Sequence, residues 1–302
     1  MKTKVPEDLK AELPQSKWGK ILSATPVVMT VVATMLAALS SSEMTKAQYD
    51  RSLAAQQQSK AGDQWSFFQA KKLRGAFQSN TLDMMASTAD VRPLDPAALQ
   101  QALVGISLDP ATLAMIVGSG LPKTGSAPTV DASVQAALNA LEASRPDFEV
   151  DELLVKVDNA VLETTLREAR AHVLAMDAVT KPTSDAIEDI EKKLLLSAAA
   201  PALRRNFTAA RMSYHTRRYD AEARVNQTIG TLYELQVRKS NLSADRHHRR
   251  SGKFFYGMLA AQTGVVISTL AIAARRRSLL WSLAAGAGAA AIAFALYVYL
   301  YV

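Results

Sequence analysis

Cysteine is absent from the 302 residues. That removes disulfides, thiolate-bound zinc, iron–sulfur clusters and thiol catalysis together, and it leaves the compartment open. Aromatic residues make up only 6% and glycine numbers 13, so neither a β-rich fold nor a low-complexity chain is favoured. Also missing are a P-loop, a dinucleotide-binding glycine fingerprint, GxSxG, HExxH and an EF-hand loop. No catalytic residue, cofactor or metal site is therefore expected, and the chain reads as a non-enzyme. What fills it instead is Ala, Leu, Gln, Lys, Glu and Arg, the strong helix formers, and the expected fold class is all-α.

Acidic residues are absent from 253–302, where Lys253 and Arg275, Arg276 and Arg277 are the only charges. This end holds two apolar stretches, 254–274 and 278–302, on either side of the three arginines. Each exceeds 20 residues, enough at ~1.5 Å rise per residue to cross a bilayer core of ~30 Å. Only an element that satisfies its own backbone hydrogen bonds can sit there, so a transmembrane helical hairpin is expected. A third stretch, 21–41, has Pro26 near its start and Trp18 between Lys17 and Lys20 ahead of it, like an interfacial anchor. A cleaved signal peptide is the competing reading, but the apolar run is long for one. Residues 1–20 read as a polar tail.

The net charge is +7, yet residues 43–252 carry 26 basic against 25 acidic residues. The excess lies beside the apolar stretches, where it directs topology, so nucleic acid is not expected as a partner. The positive-inside rule applied to Arg275–Arg277 puts that loop and the N-terminus in the cytoplasm of a multi-pass inner-membrane protein. Residues 43–252 then lie outside.

Between the membrane stretches, 42–88 lacks proline and should continue the first membrane helix as a stalk. Residues 89–148 hold more than half of the eleven prolines and read as a small helical cap. Asp95-Pro96 and Asp109-Pro110 each place an N-cap before a first-turn proline, predicting helices of about ten and eight residues. The second should end at Gly118, and a third helix is expected near 132–143. Within the cap, Leu121-Pro122-Lys123-Thr124-Gly125 matches a cell-wall sorting motif. It lacks the apolar tail directly behind it that such a signal needs, and reads as a turn.

Residues 149–200 read as acidic helices, with a break at Lys181-Pro182 and a new start at Asp185/Glu188. Residues 201–253 read as one basic helix running into 254–274, with a coiled-coil seam of Phe207, Ala210, Tyr214, Ala221, Val225, Thr228, Leu232 and Leu235. Residues 147–191 carry twelve acids and four bases, and 202–253 carry twelve bases and four acids. Side-by-side packing of the two helices accounts for both. Arg204, Arg211 and Arg218 recur every seven residues as a basic stripe, for which an anionic ligand is the alternative. His247-His248 sits among arginines and reads as part of an interfacial belt.

Small residues recur within the apolar stretches: Ala260, Gly264 and Ser268, then Ala284, Gly286 and Gly288. This spacing permits close helix approach and association. In the stalk, Trp65, Phe67 and Phe68 form the densest aromatic cluster. It is a packed layer against a neighbouring helix on the plainer reading, or a docking patch.

Two blocks resemble an uncharacterised bacterial three-span membrane family. Asp63-Gln64-Trp65-Ser66-Phe67-Phe68-Gln69-Ala70-Lys71 is similar to that family's DQWxxYQAK signature, with Phe68 in place of the tyrosine. The other block is the arginine loop followed by Trp281. The resemblance implies one N-terminal span, a helical middle and a C-terminal hairpin, and carries no activity. The expected role is a membrane-anchored scaffold that self-associates through its spans and stalk. The alternative is an accessory subunit of a transport or envelope complex, with other membrane proteins as partners.

Overall fold

A computed structural model describes residues 17–103, 109–118, 120–121, 130–196, 199–273 and 277–301. These residues form eight helices and no strand. They are α1 (Lys17–Thr88), α2 (Pro96–Ala102), α3 (Pro110–Val117), α4 (Ala132–Glu142), α5 (Asp147–Lys156), α6 (Asn159–Leu196), α7 (Pro201–Ala273) and α8 (Arg277–Tyr301). The protein is all-α, and α1, α7 and α8 each contain a stretch long and apolar enough to cross a membrane.

The caps form as their sequences dictate. The Asp95 carboxylate accepts from the Ala97 N–H at 2.9 Å and the Asp109 carboxylate from the Thr112 N–H at 3.3 Å, each ahead of a proline at the first helical position. Helix α2 has 7 residues, shorter than the expected ten; α3 has 8 and closes at Gly118.

The acidic segment departs from expectation. It breaks at Val157, whose backbone is extended, and the Asp158 carboxylate caps the new helix through the Ala160 N–H at 2.8 Å. Pro182 does not end α6 but lies inside it. The ring removes one backbone donor there. Nearby, the Thr180 carbonyl accepts from the fully buried Tyr214 hydroxyl at 3.1 Å and from Ser184 Oγ at 3.1 Å. The Tyr214 bond ties α6 to α7 two residues from the proline, although the donor that the ring removes is the one for the Ala178 carbonyl. Asp185 and Glu188 are consequently mid-helical rather than a start, and α7 opens at Pro201 as its sequence segment does.

The chain divides into two units, 1–53 with 240–302, and 54–239. In the second, Leu94, Leu99, Ile116, Ile187, Ile190 and Phe207 share one core, drawing α2, α3, α6 and α7 together. Helices α4 and α5 pack on each other and are tied to α7 by Arg238 on Asp147 at 2.7 Å and by Lys239 donating to the Val157 carbonyl. A cation there meets the negative end of α5.

In the first unit, Ala33, Leu36, Phe254, Ala261 and Ala291 form the interior, while Val27, Val31, Met35, Val266, Leu283 and Leu296 stay exposed on the outside. Apolar side chains both inside and out are what a lipid surround requires. Ser40 and Ser251 exchange hydrogen bonds, each hydroxyl donating to the other's carbonyl at 3.0 and 2.8 Å.

Candidate functional site

The signature block 63–71 lies on α1 and divides by face. Trp65 turns inward, and its Nε1–H donates to Glu234 Oε1 at 2.7 Å. Its indole lies over Gly230, where an added Cβ would stand 3.3 Å from the ring. Phe68 meets Trp65 edge-on at 5.5 Å. Phe67 points the other way and is 54% exposed. One helical turn on, Lys71 pairs with Glu222 and lies 5.5 Å over the Tyr219 ring; Lys72 pairs with Asp220 at 3.0 Å.

Glu222 is buried because Lys71 and Arg218 share it; Arg218 Nε donates to it at 2.6 Å. Arg218 also reaches across to α6, donating to Ser184 Oγ at 2.6 Å and standing 3.5 Å from Asp177. Arg211 pairs with Glu191, also on α6. Arg204 is half-buried two turns upstream of Arg211 and is itself engaged. The basic stripe therefore faces the acidic helix, and the half-buried ion pairs fix the register of α6 on α7. His215, between Arg211 and Arg218, stacks on Tyr219 at 5.9 Å. Burial first, then the two arginines, pushes its pKa below the ordinary histidine value.

Beside this seam is a concavity of about 430 Å³ shared by α1, α6 and α7, with Gln64, Phe67, Arg170, Leu174 and Asn226 around it. Phe67 and Leu174, 54% and 72% exposed, stand at it as large apolar side chains in solvent.

In the other unit, Met29 of α1 fills the space left by two glycines. A Cβ on Gly264 would lie 2.5 Å from its Cε, and one on Gly288 would lie 2.6 Å from its Sδ. Ser268 and Ala284 are buried and Ala260 packs against the interior, whereas Gly286 has nothing within 4 Å of an added Cβ. His247 does not stand apart as part of a belt: its Nδ1 is 2.6 Å from Glu43 and its Nε2 is 4.0 Å from Asp50. Glu43 and Asp50 are seven residues apart and share a face of α1. Among the described residues no group of three or more His, Asp or Glu is placed to hold a metal ion. Arg275, Arg276 and Pro122–Gly125 of the sorting-like motif lie outside the described residues, and Arg277 opens α8.

Residues 18–107 match the family model of a domain of unknown function, DUF4337. The match runs from the second described residue through α1 and α2 and contains the whole block 63–71. The arginine loop and Trp281 lie beyond the DUF4337 segment, as does α7, which receives both Trp65 and Lys71. No curated protein and no solved structure matches the chain.

Reading the sequence alone misses the partners of the signature: the acceptors Glu234 and Glu222 and the packing site at Gly230. One signal was present. Gly230 is the only glycine between Pro201 and Ser251, and an isolated glycine in a long helix marks a close approach.

Proposed function

We propose that the protein is a membrane-anchored, non-enzymatic helical scaffold that associates with copies of itself. The observation that carries this reading is on α1. Leu73, Phe77 and Met84 recur at i, i+4 and i+11 on one face, and each is 60–68% exposed. A water-facing apolar stripe of this kind marks an interaction surface. The self-association is a property of that stripe; Gly264 and Gly288 are already occupied within the chain. The membrane is a bacterial inner membrane, with the N-terminus in the cytoplasm and the domain 54–239 outside.

Mass measurement after gentle detergent extraction tests the assembly. The expected outcome is one homogeneous multimer that Leu73→Glu with Phe77→Glu converts to monomer without loss of helicity. A monomer under every gentle condition overturns the reading. A second reading, docking of a foreign membrane subunit, is favoured by Phe67 and Leu174 beside the concavity, and predicts a stoichiometric co-purifying chain that Phe67→Glu removes. The absence of cysteine makes the side easy to test. Ser59→Cys should react with an impermeant maleimide in intact spheroplasts and Ser278→Cys only after lysis; the reverse pattern inverts the topology.

A further inference from the structure

A second cavity, of about 240 Å³, opens within the domain 54–239 between the end of α1, the segment 91–94, α3 and α7. Its charged groups are Arg92 and Arg217, with no acid among the lining residues. Arg92 is already paired, its guanidinium 2.8–2.9 Å from the Asp90 carboxylate. Among the described residues Arg217 has only neutral acceptors: Nη1 donates to Ser213 Oγ at 2.8 Å and Nη2 to the Met115 carbonyl at 3.2 Å. Its Nε is buried and has no hydrogen-bond partner among the described residues. The acids of residues 89–118, which carry α2 and α3, are committed elsewhere, Asp90 to Arg92, Asp95 and Asp109 to their helix N-termini. Segments 104–108, 119 and 122–129 contain no acid by sequence.

A guanidinium cannot shed its proton to escape this position. Burial pushes its pKa down, and the C-terminal dipole of α3 offsets only part of the cost. Further donors stand around it. Asn206 spends its Oδ1 on the Arg92 N–H at 3.0 Å, leaving its amide nitrogen uncommitted, and the Ser213 hydroxyl accepts from Arg217 and can still donate. The remaining wall is apolar: Leu82, Val91, Leu94, Ile116, Val117 and Ala210.

We propose that this cavity binds a small aliphatic carboxylate, its head on Arg217, Asn206 and Ser213 and its tail against the apolar wall. A carboxylate suits the outer Nη edge of a guanidinium: Nη1 and Nη2 each have a second hydrogen beyond those given to Ser213 and Met115 and can hold both oxygens. Phosphate or sulfate fits worse, because its additional charged oxygens would face Leu94 and Ile116 with no donor. The volume, equal to roughly eight waters at ~30 Å³ each, limits the ligand to a short chain.

The test is calorimetric titration of the detergent-purified full chain at pH 7 with sodium hexanoate, against acetate, hexan-1-ol and inorganic phosphate. The expected result is one hexanoate per chain, bound at least tenfold tighter than acetate or hexanol. Arg217→Met should remove the binding. Because that variant also releases the Met115 carbonyl and can fail to fold, Ala210→Leu, which fills the wall, and Asn206→Leu, which deletes a donor, provide independent arms. Each should weaken hexanoate at least tenfold in a folded protein. Equal heats from hexanol and hexanoate, undiminished binding in Ala210→Leu, or phosphate binding as tightly as hexanoate would each overturn the proposal.

Discussion

Helix α1 sets large side chains opposite glycine in each unit of the protein, Met29 and Leu36 in one and Trp65 in the other, and the Met29 and Trp65 insertions are built differently. Among the spans Met29 stands against Gly264 and Gly288; in the domain 54–239 Trp65 stands against Gly230. Met29 makes only van der Waals contact, and its thioether has rotatable bonds to spare. Trp65 is rigid and is held by its hydrogen bond to Glu234. The apolar helices here are long enough to cross a membrane, and lipid would provide no hydrophobic drive between them, which leaves close fit with small residues to carry such a contact. In the domain 54–239 the approach of α1 to α7 is fixed by an aromatic plate, one hydrogen bond and flanking ion pairs.

Removing the aromatic plate should do most damage. Trp65→Ala is expected to destabilise the domain 54–239 by about 3 kcal/mol, the usual cost of deleting a packed large aromatic side chain, read from urea unfolding followed by circular dichroism. Trp65→Phe keeps most of the plate and loses the donor, and should cost about 1 kcal/mol. If Phe is as harmful as Ala, the hydrogen bond rather than the packing holds the seam.

The glycines give an inverted comparison. An alanine Cβ would come closer to Met29 at Gly264, 2.5 Å, than to Trp65 at Gly230, 3.3 Å. The shorter contact should nevertheless be the harmless one. At Gly264 the obstacle is the free end of a flexible side chain, which can swing aside, and alanine gains up to ~1 kcal/mol of helix propensity. At Gly230 the obstacle is a ring pinned by Glu234, and overpacking costs about 1–3 kcal/mol. Gly264→Ala should therefore be neutral or stabilising and Gly230→Ala destabilising by about 1 kcal/mol. Thermal unfolding of the two variants in one detergent decides it; equal effects would show that the two insertions do not differ in rigidity.

This difference explains what could be read in advance. The apolar stretches, the proline-capped α2 and α3, and the start of α4 follow from local chemistry, since the signals lie within a few residues of their effect. The end of the acidic helix did not, because the group beside Pro182 is Tyr214, 34 positions from the carbonyl it bonds. The break at Val157 was signalled by Asp158, an N-cap residue hidden inside an acidic run. For the signature, Trp65 and Phe68 were visible as an aromatic layer, but Glu234 lies 169 residues away and no spacing rule reaches that far. Arg217 was one of twelve basic residues in its segment, and only the fold shows that it lacks an acid.

The smallest expected effect separates the two units by pH. His215 has its pKa lowered from 6.5, first by burial, then by Arg218 and Arg211, with Glu191 and Glu222 opposing. The folded state holds the neutral ring, so its contribution is intact above pH 6.5 and is lost as pH falls below that value, where the unfolded chain takes up the proton first. Glu43 differs: burial raises its pKa, but hydrogen bonds from Lys46 and His247 prevail and hold it below 4.5. Its contribution is present above pH 4.5 and disappears only on further acidification. The domain 54–239 should therefore begin to weaken at higher pH than the span unit. His215→Phe, which keeps the stack on Tyr219, should abolish the upper phase of the acid stability profile, and Glu43→Gln should reduce the lower one. If His215→Phe leaves the profile between pH 7 and pH 5.5 unchanged, the imidazole is not the group that couples the α6–α7 seam to protons.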